Sequence, residues 1–178
     1  QQAMTAAMDF LKGFLGTNNN PLAALGGKPA VDIGELKALL PTEIAGLRRT
    51  NARGEKTSAF GATVAQARGE YGDKGGPHLE VKLTDLAAMG PFGALAGMAW
   101  TSAEIDSEGD DGYERTTKYG DYKALEKYSA PAKTGSATVI VSDRFLVEIT
   151  GRDIRPDTLK AATASIDLQA LEALGRRP

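Results

Sequence analysis

Cysteine is absent from this 178-residue chain, which excludes disulfides, thiolate nucleophiles and zinc–thiolate sites at the outset. The absence leaves the compartment open, because a chain without thiols is equally safe in reducing and oxidising surroundings. Histidine occurs once, at His78, so any Ser–His–Asp relay must pass through it, and no serine sits in the GxSxG pattern of a nucleophile elbow. A lone imidazole without thiolates also cannot assemble the usual transition-metal ligand sets. Charge of one sign is not in excess: 21 basic residues face 23 acidic ones, leaving a net charge of −2 and no footprint for nucleic acid or an anionic membrane. The longest uncharged run, "LAAMGPFGALAGMAW" (86–100), has 15 residues, short of the roughly 20 that span a bilayer. It reads as a buried helix over 87–99, with Gly93 and Gly97 at GxxxG spacing. Glycine is plentiful, at 21, yet none stands in GxGxxG or GxxxxGK[ST], so dinucleotide and P-loop chemistry fall away. From these absences we expect no catalytic residue, no metal and no cofactor.

What is present points to one α+β domain, a natural reading of this length. Met4, Ala7, Met8, Leu11, Phe14 and Leu15 fall on one stripe, which predicts an N-terminal amphipathic helix over 1–16. An Asn-, Gly- and Pro-rich loop follows over 17–31, and the domain proper occupies 32–178. Asp32, with Glu35 three residues on, predicts a capped helix over "IGELKALL" that Pro41 stops. "EIAGLRRT" reads as a strand and "NARGEK" as a turn. "TSAFGATVAQARGEYG" reads as a second strand with a row of small residues: Gly61, Thr63, Ala65, Ala67 and Gly69. Helix 87–99 is the size-matched element to lie on that row. "HLEVKLTDL" alternates cleanly. Two hairpins follow, "GYERTTKY"/"YKALEKY" about Gly120–Asp121 and "SATVIVS"/"FLVEITG" about Asp143–Arg144. Pro156 opens a helix, and "DLQALEAL" closes the chain with Gly175 as its stop. Arg48, Arg49 and Arg53 read as a strand's solvated face. The expected architecture is a central antiparallel sheet of about six to seven strands with helices packed on its faces, an α/β/α sandwich.

Two features carry the functional reading. "AEIDSEGDDG" holds five carboxylates, Glu104, Asp106, Glu108, Asp110 and Asp111. Begun at Asp106, an EF-hand register puts Asp111 where glycine is required and Thr117 where a bidentate Glu is required, so the stretch reads as a solvated acidic turn, the alternative being an irregular carboxylate cage for calcium. The tyrosines after it, Tyr113, Tyr119, Tyr122 and Tyr128, have the parity of a cross-strand aromatic ladder. Such a ladder either covers a helix or, with Lys118 and Lys123, presents an amphipathic binding surface.

The blocks "LKALLPTEIAGLRRT", "GYERTTKYGDYKALEKY", "VIVSDRFLVEITGRD" and "SIDLQALEAL", which together span most of residues 36–174, resemble a group of proteobacterial proteins of uncharacterised activity. Members of that group carry a signal, lipid or membrane segment ahead of this domain. The resemblance implies the bacterial envelope, with the chain periplasmic or anchored facing the periplasm and reaching the membrane only through a segment upstream of Gln1. The element order resembles the PsbP-type fold, a likeness of fold alone. The expectation is a non-catalytic binding or scaffold domain with a protein partner, the alternative being a periplasmic inhibitor or immunity-type protein that plugs an enzyme with the loop 104–111.

Overall fold

The structure, a computed structural model, describes residues 28–59, 62–73, 75–87, 100 and 102–177. The expected helices 1–16 and 87–99, and most of the loop 17–31, lie outside the described residues. A short helix α1 (Ile33–Ala38) is followed by strands β1 (Glu43–Ile44), β2 (Leu47–Ala59), β3 (Ala62–Tyr71) and β4 (His78–Asp85). Then come β5 (Asp106–Gly109), β6 (Gly112–Tyr119), β7 (Tyr122–Ser129), β8 (Thr134–Val141) and β9 (Phe145–Arg152). Helices α2 (Pro156–Ala164) and α3 (Leu168–Arg176) close the chain. All nine strands form one antiparallel sheet in the order β1-β2-β3-β4-β9-β8-β7-β6-β5.

This corrects the expected sandwich of six to seven strands between helical layers. The sheet is larger, and the three described helices lie on one of its faces. Gly54 on β2 sits under Ile33 of α1, Gly135 on β8 under Leu159 of α2, and Phe145 on β9 against Gly175 of α3. The pairing register places Gly54, Gly135 and Phe145 on the same face. "NARGEK" is strand rather than turn, because β3 pairs along its whole length and tertiary pairing overrides turn-forming composition. Its glycine serves close approach: a Cβ at Gly54 would come within 3.3 Å of Ile33. The acidic stretch likewise holds a strand, since Asp106–Gly109 pairs with β6 and leaves only Asp110–Asp111 to turn.

Alternation sorts the side chains onto two faces, and the helices bury one of them. Leu79, Val81 and Leu83 on β4, Val139 and Val141 on β8, and Phe145, Val147 and Ile149 on β9 are all fully buried on the helical side. Each such side chain contributes about 1.5–3 kcal/mol through removal from water. The small-residue row Ala65, Ala67 and Gly69 faces the same way. It is filled by Tyr71, whose ring lies over Gly69, and by α1, which packs on β2 and β3. Asp32 caps α1 as expected, accepting from the Gly34 and Glu35 amides at 2.7 and 3.2 Å. Glu35 turns away from the capping box to pair with Arg177. Gly175 is not the stop of α3, which runs to Arg176; a Cβ there would meet the Phe145 ring at 2.7 Å.

One polar group is locked deep in this core. Asp85, at the end of β4, is 0% exposed. Arg144, in the β8–β9 turn, donates from Nε to its Oδ1 at 2.9 Å and from Nη2 to its Oδ2 at 3.0 Å. The Ala87 and Val31 amides donate to the same two oxygens at 2.9 and 2.8 Å. Arg144 also donates to the carbonyls of Gly175 at 2.7 Å and Pro29 at 3.2 Å. A buried pair with every lone pair engaged is costly to break from one side. We expect Asp85→Asn and Arg144→Met each to lower stability by about 3–5 kcal/mol in urea unfolding, with the double variant losing less than the sum. A loss under about 1 kcal/mol, the range of a surface pair, would show that the pair is not structural.

Candidate functional site

The β6–β7 hairpin carries all six residues singled out from the sequence, and the structure divides them. Tyr113 pairs with Tyr128 and Tyr119 with Tyr122, as the parity predicts. All four point to the helical face. Lys118 and Lys123, opposite one another, point to the other. Tyrosines and lysines therefore do not form one surface.

The tyrosines converge on a residue that the sequence reading passed over. Glu126 on β7 is 1% exposed. It accepts from the Tyr119 hydroxyl and, at 3.4 Å, from the Tyr113 hydroxyl, and Arg115 lies 3.6 Å away. The Arg115 guanidinium rests 4.2 Å over the Tyr113 ring, which stacks on Tyr128 at 6.0 Å between centroids and 27° between planes. Tyr128 donates to the Ile154 carbonyl at 2.9 Å, and Tyr122 donates to Glu172 of α3. A glutamate at a core-facing parity position was the available signal, because a carboxylate there needs donors from its neighbours. Each hydroxyl is thus used within the chain, and the ladder glues the hairpin to α2 and α3.

The phenols register this packing. Burial, then the hydrogen bond to Glu126, pushes Tyr119 well above the usual tyrosine range. Burial, then the charge of Glu126, raises Tyr113. The hydrogen bond to Glu172 carries Tyr122 up to about 12, and burial carries Tyr71 to about 12 against the opposing pull of Arg49. The same Tyr122 bond holds the Glu172 carboxyl below its ordinary value.

The opposite face is largely uncovered among the described residues; the helical segment that ends at Ser102 meets it where Lys123 donates to the Ala103 carbonyl. Its ion pairs run across the strands, Arg68 with Glu80, Lys82 with Glu148 and Lys127 with Glu114. A concavity of about 490 Å³ lies over β6 to β9 around Glu114, Lys127, Ser136 and Thr150. It opens on this side, since Leu159 and Ile154 fill the helical side of the glycines in its floor, Gly135 and Gly151. A second, of about 190 Å³, is lined by Asn51, Arg53, Glu55, Gln66, Arg68 and Glu70 of β2 and β3.

The remaining sequence candidates scatter. His78 opens β4, half-buried, and its Nδ1 finds no partner among the described residues. The arginine cluster splits: Arg49 donates to the Leu40 carbonyl at 2.7 Å on the helical side, whereas Arg53 is exposed on the open face. Residues 102–111 are exposed throughout. Among the described residues no three His, Asp or Glu side chains gather as a metal site, and no helix is long and apolar enough to cross a membrane. No protein-family model, curated protein or solved structure matches this chain.

Two outcomes follow from the tyrosine network. Tyr119→Phe leaves the buried Glu126 short of a donor and is expected to cost about 1–3 kcal/mol in urea unfolding; an unchanged midpoint would show that the bond contributes nothing. In the unfolded chain the phenols ionise near pH 10, whereas Tyr71 and Tyr122 keep their protons to about pH 12 in the fold. The folded state binds more protons in that window, so this stability is whole below pH 10 and is lost as pH rises toward 12. Ultraviolet phenolate titration should therefore show ionisation delayed beyond pH 10 and coupled to loss of circular dichroism; all five tyrosines titrating near 10 with the fold intact would contradict it.

Proposed function

We propose that this chain is a non-catalytic binding domain and that its partner, a protein of the bacterial envelope, docks on the open face of the sheet. The observation that carries the reading is the two-sidedness of the sheet. One face is spent on the core and the tyrosine network. The other holds strand-mounted charges and hydroxyls around two concavities. Rigid, pre-ordered polar side chains suit protein recognition, because little freedom is lost when they are engaged. Lys118 and Lys123 keep a place in this surface, while the tyrosines act behind it by fixing the hairpin. The envelope setting, periplasmic or membrane-anchored, rests on the resemblance of the four sequence blocks.

A second reading has its own observation. Residues 104–111, which run through β5 into its turn, are exposed along their whole length and rich in carboxylates, which fits an inhibitor that inserts them into a basic cleft.

Cross-linked capture from an envelope fraction separates the two. A partner recovered in stoichiometric amount should lose about tenfold or more in affinity to the Lys127→Glu/Thr150→Trp variant, and little to a variant with Asp106, Glu108, Asp110 and Asp111 changed to Asn or Gln. The reverse pattern favours the inhibitor. A partner indifferent to both variants overturns the open-face proposal.

A further inference from the structure

The two ends of the sheet are guarded unequally. β5 is a four-residue edge carrying Asp106 and Glu108, short and charged as solitary edges usually are. The opposite edge is β2, thirteen residues long, and β1 covers it only at Leu47 and Arg48. Beyond the irregularity at Arg49/Asn51, pairing with β3 is continuous from Asn51 to Ala59, and this stretch contains no proline. Among the described residues no strand pairs with its outer side.

Its charges are also unsatisfied at home. Arg53 and Glu55 are both exposed, on the open face, and neither has an ion pair among the described residues. Arg53 stands directly opposite Arg68, a like-charge pairing that costs stability, and Arg68 is already matched to Glu80. Glu55 stands opposite Gln66, whose amide is bonded to Thr84.

We propose that β2 is a dimerisation edge, and that it pairs antiparallel with β2 of a second copy about a two-fold axis at Gly54. A two-fold contact is isologous, so each residue meets the partner position equally far on the other side of the axis. Centred on Gly54, Arg53 faces Glu55 of the second copy and Glu55 faces its Arg53, giving two symmetric ion pairs on the open face. On the helical face Ala52 meets Lys56, and Gly54 meets itself. Moving the axis by one residue either way opposes Arg53 to Arg53 or Glu55 to Glu55, so the charges select one register. Half-exposed Ile33, seated over Gly54, lies beside the axis and gives the contact an apolar flank. The dimer holds one sheet running through both copies, with the two open faces joined into one surface.

The test is a charge exchange read by light scattering after size exclusion and by sedimentation. The wild-type chain is expected to run as a dimer that weakens as salt rises. Arg53→Glu and Glu55→Arg are each expected to run as monomers. Neither substitution removes an ion pair among the described residues, and Arg53→Glu relieves the repulsion from Arg68, so both variants should melt within a few degrees of wild type. Mixing the two variants in equal amounts sets the two carboxylates of one copy against the two guanidinium groups of the other, and a heterodimer should form. The variant carrying both exchanges should recover the homodimer. A wild-type monomer across the concentration range overturns the proposal, as does a dimer that survives both single changes or a mixture that stays monomeric.

Discussion

The Asp85–Arg144 pair gathers several separate parts of the chain at one buried point. Asp85 ends β4, the neighbour of the middle strand β9, and Arg144 lies in the turn that aligns β8 with β9. Through their remaining donors and acceptors they gather the segment before α1, the residues leaving β4 and the last turn of α3. A carboxylate taken out of water is tolerable only if each of its lone pairs is met, and here four donors do so. The helices can lie on the sheet in few other arrangements without leaving that charge unpaired. Apolar burial provides most of the stabilisation, but this pair sets which elements share it.

A second buried carboxyl organises the other half of the sheet. Glu126 draws Tyr113, Tyr119 and Arg115 toward the helical face, Tyr122 reaches Glu172 of α3, and Tyr128 reaches Ile154 just before α2. Aromatic rings bring large apolar area together with a hydroxyl that must find a partner when buried. The hairpin satisfies both demands inward, which leaves lysines, threonines and glutamates to face out. A proposed recognition role for the outer face is thus a consequence of how the inner face is filled. The proposed β2 edge would extend that face into a second copy, joining two binding surfaces by backbone pairing.

Much of this was legible along the chain. The two C-terminal hairpins, the tyrosine parity, the Asp32 cap and the Pro156 helix start all follow from local chemistry: turn residues, alternation and capping geometry. The acidic stretch and "NARGEK" misled for the same reason. Both are rich in turn-formers, yet each is an outer strand held by the next strand of its own hairpin, and that cross-strand pairing outweighs the turn-forming composition.

Local pattern by itself determined that this is a thiol-free chain of near-neutral charge with alternating strands, short capped helices and a tyrosine-rich hairpin. Those properties depend on residues a few positions apart. Only the tertiary structure decided that the nine described strands join in one sheet, that α1, α2 and α3 share one face, and that the tyrosines turn inward, Tyr113 and Tyr119 to Glu126, while Lys118 and Lys123 turn out. Alternation assigns side chains to two faces but does not say which face is buried. That choice belongs to contacts between segments far apart in sequence, Asp85 with Arg144, Tyr122 with Glu172 and Gly54 with Ile33, which exist only once the chain has closed on itself.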